Sequence, residues 1–423
     1  MENRCNGTSL AVAASPSTRW RTIALSVLIV LAALVRLWLI RHFPEPDTDA
    51  PGHLGIARAL LTDPTNVALH WVWLPAYHFV LAAFLLFGLS ADAIRVVNCA
   101  LAVLVPVLVL RYGQSTADRT QSGASTYVPW MAAVLCAVSP LVNLLGTSAQ
   151  QETLFTLLVL GAVWSVDLGR FVLAGAILAL ASLIRYEAWG AVVLVIALRI
   201  MGQHPAIGRL PARVANACRL PLVIAAPSIV AVGGWFLAHK LREGQWFGVL
   251  RELYRYTHVQ RDSLHRDLLW FPLQQPLYLF GSVVAVLFFA GLRRAWRPSH
   301  VIPLGIYLFL LGAYAFKGAL GSARYYESVT PFVALAAAHG ACSVGARWRW
   351  IAPAAFLAAS VQLVSLTTQL FFWTWPSNVG AQTSPAASGP TTGGASNGGR
   401  ATLTNAPPPG TRLPAREART SRH

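Results

Sequence analysis

Apolar runs of near-membrane length recur along this chain from residue 20 to residue 372, separated by short segments that carry most of its arginines. A backbone in hydrocarbon must satisfy its own hydrogen bonds, so only helical bundles and closed barrels span bilayers. Continuous apolar runs, rather than period-two alternation, select helices. The sequence therefore reads as an all-α, polytopic transmembrane helical bundle. Candidate spans fall at 20–40, 94–111, 127–146, 153–168, 171–184, 188–200, 220–239, 276–292, 301–316, 328–346 and 350–372, about 11 spans in all. Segments 171–184 and 188–200 are short enough to be one hairpin meeting at an interface. Run 20–40 is too long for a signal-peptide core and lacks a small-residue cleavage site, so it is an uncleaved first span.

Hydrophobic residues make up 55% of the chain and charged residues 12%, yet the formal charge is +17. In a soluble protein that excess would suggest nucleic acid. Here the arginines sit in loops between apolar runs, as membrane topology requires, and nucleic acid is not an expected partner. Arg4, Arg19, Arg21, Arg111, Arg119, Arg170, Arg199, Arg209, Arg213, Arg219, Arg293, Arg294, Arg297, Arg347 and Arg349 fall on one side, which becomes the cytoplasm. The other side collects charges of mixed sign in 41–58, 240–267 and 317–327. Run 74–90 carries Pro75, Tyr77 and His78 near its start, and counting it as a span would turn the basic loops outward. It reads as a juxtamembrane or half-inserted helix in a long first extracytoplasmic loop, 41–93. Arg36, near the end of the first span, is expected to snorkel.

The organisation that follows is a cytoplasmic N-terminal segment (1–19), a transmembrane module with the first external loop (20–200), a second transmembrane module with external loop 240–271 (201–373), and a disordered tail rich in Gly, Pro, Ser and Thr (374–423). Cys99, Cys136 and Cys342 lie in apolar runs, and Cys5 and Cys218 in segments assigned to the cytoplasm. No disulfide framework or metal-ligand spacing is visible.

Chemistry concentrates after the first span, in Asp47-Thr48-Asp49-Ala50-Pro51-Gly52-His53. Leu54, Ala57, Leu60 and Leu61 then share one face at helical spacing, which predicts a short interfacial helix with an acidic start suited to its dipole. Asp49 is either the N-cap of that helix or a reacting carboxylate. The stretch from Asp49 to Leu61 resembles the first-loop motif of the GT-C membrane glycosyltransferases, in particular the dolichyl-phosphate-mannose protein mannosyltransferase (glycosyltransferase family 39)-like bacterial members. In many of these the motif runs Asp-Glu-Ala-Tyr-His, followed by Ile-Ala-Arg and a Leu-Leu pair. The resemblance implies a GT-C fold with Asp49 matching the catalytic aspartate, and His53 and Arg58 matching by position. Ala50 departs from it, standing where the family has glutamate.

Further segments resemble the family in their order and sidedness: Trp73-Leu74-Pro75-Ala76-Tyr77-His78 after the motif, Ser139-Pro140 with Glu152, Arg185-Tyr186-Glu187-Ala188-Trp189, and Arg324-Tyr325-Tyr326 with Pro331. The implied activity moves a sugar from a polyprenyl-phosphate donor to a glycan, lipid or protein hydroxyl. It would act at the extracytoplasmic face of a bacterial inner (plasma) membrane, in contact with membrane lipid.

That chemistry needs a base near the acceptor and cations near the departing phosphate. A carboxylate at Asp49 suits the first task and leads to an inverting displacement. For the second, the candidates are Arg58, Arg185, Lys240, Arg242, Arg251, Arg255, Arg261 and Arg324. Arg185 is preferred because Tyr186, Glu187 and Trp189 beside it are interfacial types, although an ion pair with Glu187 is an alternative role. Glu152, Tyr186, Glu187 and Tyr325 complete the candidate substrate-binding set. Loop 240–271 adds Trp246, Tyr254, Tyr256, His258, His265 and Trp270. Arg251, Arg255 and His258 recur there at helical spacing, either as a basic helix over a lipid phosphate or as a solvated lid.

Asp47, Asp49, Glu152 and Glu187 are the carboxylates that would hold a divalent cation, magnesium or manganese. A monophosphate donor needs such a cation less, because arginines can neutralise a single phosphate; no metal ligand is assigned, and a divalent cation stays an open alternative. His53, His70 and His78 lack zinc spacing and read as interfacial hydrogen-bonding residues. Two other activities remain open on sequence: a transporter or flippase of a lipid-linked substrate, and a ligase or polymerase of lipid-linked oligosaccharides.

Overall fold

Helices follow the apolar runs, but most runs are cut shorter than the sequence suggests. The computed structural model describes residues 16–42, 45, 49–117, 127–203, 212–260, 270–316, 323–345 and 351–373. All of these belong to the unit Met1–Ser377. The expectations for Cys5, Asp47, Arg261, His265 and the tail 374–423 lie outside the described residues. In chain order the helices are α1 (Pro16–His42), α2 (Asp49–Leu60), α3 (Pro75–Leu86), α4 (Ala91–Ala117), α5 (Val128–Ala137), α6 (Pro140–Leu145), α7 (Glu152–Asp167) and α8 (Phe171–Ser182). They continue with α9 (Glu187–Met201), α10 (Ala212–Ala217), α11 (Ala226–Glu243), α12 (Gly248–Arg255), α13 (Trp270–Ala295), α14 (Val301–Ala315), α15 (Thr330–Gly345) and α16 (Ile351–Trp373). No strand occurs among the described residues, so the all-α expectation holds.

The span count is corrected. Among the described residues four helices are long and apolar enough to cross a membrane: Ile23–His42, Ala91–Ala117, Leu222–Glu243 and Pro298–Ala315. The run 127–146 breaks at Ser139, whose extended backbone precedes Pro140 and leaves helices of 10 and 6 residues. Helices α7, α8 and α9 reach only 16, 12 and 15 residues. Helix α13 is interrupted at Gly281, which takes a positive φ of 75°. Mean hydropathy registers these stretches as apolar, whereas span length depends on unbroken helical backbone at 1.5 Å per residue.

Helix α1 exposes Ile23, Val27, Val30, Leu31, Leu34, Val35 and Trp38, a lipid-facing surface that water would not tolerate. Arg36 on the same helix corrects the snorkelling expectation. It is fully buried, and its guanidinium donates to the carbonyls of Ala32 at 2.9 Å and Ala137 at 3.4 Å. Elsewhere small residues bring backbones together, as in other membrane bundles. Where α9 crosses α14, a Cβ added at Gly190 would clash with the carbonyl oxygen of Gly305 and with Cβ of Phe309.

Two local devices position the site. Helix α3 starts with Pro at its first turn, and the amide of Ala76 donates 3.0 Å to the carbonyl of Leu183 at the end of α8, tying the first loop to the bundle. The turn 146–151, which delivers Glu152, is buried and non-helical, so its polar groups need partners. Arg95 Nε donates to Thr147 O at 2.9 Å, and Asn98 Nδ2 donates to Leu145 O at 2.9 Å and Ser148 O at 2.5 Å. Glu45 accepts from the Ser148 hydroxyl and, at 3.1 Å, from the Ala149 amide.

Candidate active site

Three carboxylates open three helices: Asp49 on α2, Glu152 on α7 and Glu187 on α9. Each sits where the helix dipole favours negative charge. Two arginines meet them. Arg185, in the break between α8 and α9, reaches Glu152 Oε1 with Nη1 at 2.5 Å and Glu187 Oε1 with Nη2 at 2.5 Å. Its Nε lies 3.1 Å from both oxygens of Glu187. Arg324, on the 3-10 turn Ala323–Val329 that precedes α15, donates to Asp49 Oδ2 and places Nε 3.4 Å from Glu152 Oε1. Glu152 therefore joins both guanidinium groups. The ion-pair role of Arg185 with Glu187 is realised, with Glu152 as a second partner.

Tyr325 stands beside both cations, its ring centre 4.8 Å from Cζ of Arg185 and 5.6 Å from Cζ of Arg324. Burial opposes the Arg185 charge, but Glu187 and Glu152 outweigh it and raise its pKa further above the ordinary value. Two residues beyond Tyr325, Glu327 is buried and accepts from Thr153 Oγ1 at 3.2 Å. Burial, with the charge of Glu152 added, pushes its pKa well above the carboxylate range.

These groups border a cavity of about 390 Å³. Asp49, Arg185, Tyr186, Glu187, Arg324 and Tyr325 all line it, so six of the sequence-derived site residues come together. Trp73 and Leu74 of the first loop, Leu250 and Leu253 of α12, and Phe309 and Leu310 of α14 supply apolar walls. Tyr186 is fixed by a 3.1 Å hydrogen bond from its hydroxyl to Val72 O. Glu152 lies behind the cavity and braces the arginines.

Three candidates fall elsewhere. Arg58 is exposed at the end of α2, and Arg255 is exposed on α12, whose cavity-facing residues are leucines. His53 is buried and does not line the cavity; it packs against Trp73 with ring centres 4.6 Å apart. The sequence gives Trp73 a place in a resembling segment but no site role, and Gln151, Glu45 and Glu327 were missed. Glu45 and Glu327 are carboxylates within a few residues of recognised motifs, and that proximity was the available signal. Asp49, Glu152 and Glu187 each have a guanidinium partner, and no group of three metal-ligating side chains occurs among the described residues.

Neither a protein-family model nor a curated protein matches the sequence. Solved structures do. ArnT from Cupriavidus metallidurans in the apo state aligns with a TM-score of 0.55 at 12% identity, covering 84% of this chain and 77% of that one. The same protein bound to undecaprenyl phosphate aligns with a TM-score of 0.56 at 14% identity, with the same coverage. The chain shares its fold with these structures of ArnT. The likeness agrees with the resemblance of the first loop at the level of fold, and the finer resemblance to family 39 mannosyltransferase-like members is not shown by it.

Proposed function

We propose that this protein transfers a sugar from a polyprenyl-phosphate donor to a hydroxyl of a glycan, lipid or protein at the extracytoplasmic face of a bacterial inner membrane. The observation that carries this reading is the meeting of Asp49 and Arg324 on the wall of a cavity that Arg185 also lines. In the reaction, Asp49 accepts the proton of the attacking hydroxyl. The oxygen forms a bond to the anomeric carbon as the bond from that carbon to the phosphate oxygen breaks, with inversion. The electron pair goes to the phosphate, where Arg324 and Arg185 stabilise the charge. Arg324 serves two partners in turn: it holds Asp49 until a donor phosphate competes for its guanidinium, which releases the carboxylate to act as base. The apolar walls suit a lipid-linked substrate, and the fold is shared with a protein crystallised with undecaprenyl phosphate.

The test is transfer from radiolabelled polyprenyl-phosphate sugars in membranes carrying wild type, Asp49→Asn or Arg185→Ala. Loss of transfer with Asp49→Asn and retained donor binding is the expected result, and full activity of that variant overturns the role of Asp49. Sugar-lipid scrambling in proteoliposomes without turnover would point to a flippase instead. Product analysis separates a simple transferase from an oligosaccharide ligase or polymerase.

A further inference from the structure

Gln151 stands immediately before Glu152 at the start of α7 and lines the cavity. Its main-chain carbonyl accepts from the Phe155 amide at 3.0 Å, within the first turn of the helix, whereas its side chain makes no capping hydrogen bond. Only 6% of the residue is exposed, and Oε1 has no hydrogen-bond partner among the described residues. A carboxamide oxygen withdrawn from water without a donor carries a cost that an apolar residue of similar length would avoid. The helix does not call for glutamine either, since helix starts favour Ser, Thr, Asp and Asn. Buried polar atoms in native proteins are matched by partners, so an acceptor left over on a cavity wall is suited to a donor on the molecule that the cavity holds.

Other polar groups on the wall are already committed within the protein. Tyr186 donates to Val72 O at 3.1 Å, Trp189 Nε1 to Ser182 O at 2.8 Å and Thr257 Oγ1 to Leu253 O at 2.9 Å. Arg185 and Arg324 are engaged by carboxylates. Gln150 provides the comparison: it is fully buried, neither polar atom of its amide has a partner among the described residues, and it does not line the cavity.

The place of Gln151 in the chain points to one part of the substrate. The next residue, Glu152, uses Oε1 to meet Arg185 Nη1 at 2.5 Å and Arg324 Nε at 3.4 Å. Those are the two cations assigned to the donor phosphate. A single oxygen joins that phosphate to the anomeric carbon, which brings the sugar of the donor beside this end of α7. The same cavity offers an aromatic wall. Trp73 lines it, with Cη2 3.3 Å from the position of a Cβ at Gly52, so the indole lies against α2 three residues after Asp49. Trp71, whose ring meets that of Trp73 at 5.5 Å, takes a positive φ of 51° in the turn that leads to it, a conformation that residues with side chains rarely adopt. A sugar presents hydroxyls at its rim and C–H bonds on its faces, and an amide with an indole matches both.

We propose that Gln151 is a specificity-determining residue that reads the donor sugar, Oε1 accepting a hydrogen bond from one ring hydroxyl while Trp73 packs against a C–H face. This rests on the glycosyl-transfer reading. A donor lacking that hydroxyl leaves Oε1 buried against the ligand without a partner, and selection against a missing hydroxyl is the strongest discrimination that a polar pocket makes.

The experiment uses the full chain in membranes, with Gln151→Met, which keeps the length of the side chain and removes the amide. Radiolabelled mannosyl, glucosyl and arabinosyl polyprenyl phosphates identify the donor that wild type uses, and the monodeoxy forms of that donor are then compared. Gln151→Met should lower kcat/KM for the parent donor by about 10- to 100-fold. One monodeoxy donor should lose a similar factor with wild type and lose nothing further with Gln151→Met, so that the two changes are not additive. Gln150→Met should change parent and monodeoxy donors by one common factor. An unchanged kcat/KM with Gln151→Met, or a loss shared equally by the parent and every monodeoxy donor, overturns the assignment, and so does the same hydroxyl-selective pattern in Gln150→Met. Should Gln151→Met fail to fold, the wild-type series decides alone: monodeoxy donors that all match the parent within about three-fold overturn the assignment. Wild type that transfers none of the donors refutes the glycosyl-transfer reading itself, whereas active wild type with additive losses refutes the role of Gln151 alone.

Discussion

The guanidinium of Arg324 holds the carboxylate of Asp49 although 275 residues of chain separate them. The candidate base, presented by the first loop, is thus governed by a residue from the turn before α15. This pair makes the reactivity of Asp49 conditional on what else Arg324 is bonded to.

Replacing Arg324 with Gln should raise KM for the lipid-phosphate donor by about 10- to 100-fold, the effect of losing a charge-assisted hydrogen bond worth about 1.5–3 kcal/mol. Arg324→Lys should recover little, because a point charge cannot reach Asp49 and Glu152 together as the planar fork does. Steady-state kinetics over donor concentration checks both variants, and an unchanged KM removes Arg324 from phosphate binding.

Arg185 neutralises two buried carboxylates, and its removal leaves Glu152 and Glu187 without that partner. Arg185→Met should destabilise the protein by about 3–5 kcal/mol. Adding Glu187→Gln to Arg185→Met should restore part of the loss, since one buried charge then disappears with its partner. Thermal unfolding in detergent, followed by tryptophan fluorescence, measures both. A double variant no more stable than the single one would contradict this account.

Acid should destabilise the first loop. Burial holds His53, His70 and His78 below their unfolded value near 6.5, at about 3, 4 and 2. Below pH 6.5 the unfolded state binds protons that the folded state refuses. The contribution of these groups is therefore complete above 6.5 and declines as pH falls from there toward the folded values. The slope is at most about 1.4 kcal/mol per pH unit for each histidine. Melting temperature measured from pH 8 to pH 5 should drop below 6.5, and less steeply in His78→Gln.

Ala50 has 0% exposure and belongs to the main core, at the position where the resembled motif carries glutamate. Restoring that residue with Ala50→Glu should cost about 3–5 kcal/mol by burying an unpaired carboxylate, and should not raise transfer activity. Melting temperature and specific activity of the variant, side by side, are the readout.

The local part of the site was legible in the sequence. Asp49, Arg185, Tyr186, Glu187, Arg324 and Tyr325 stand in short interfacial clusters with mixed charge, and all of them line one cavity. Arg58 and Arg255 look equally cationic on paper, but α2 and α12 turn apolar residues inward, and helical phase decided against them. Arg95 and Asn98 were not legible because their partners on the 146–151 turn lie far away in sequence. The span count failed for a related reason: Ser139 before Pro140 and the left-handed Gly281 interrupt helices inside stretches whose hydropathy never falls.

The crossing of Gly190 and Gly305 acts as a ruler. Helix α9 carries Trp189 beside the crossing and α14 carries Phe309 and Leu310 after it, and all three are cavity wall. Because the two helices touch through backbone rather than through side chains, no rotamer change can bring them closer. The width of the cavity on this side is therefore gauged by the thickness of a polypeptide chain. Lateral pressure from the bilayer would have to deform covalent geometry before it could narrow the space.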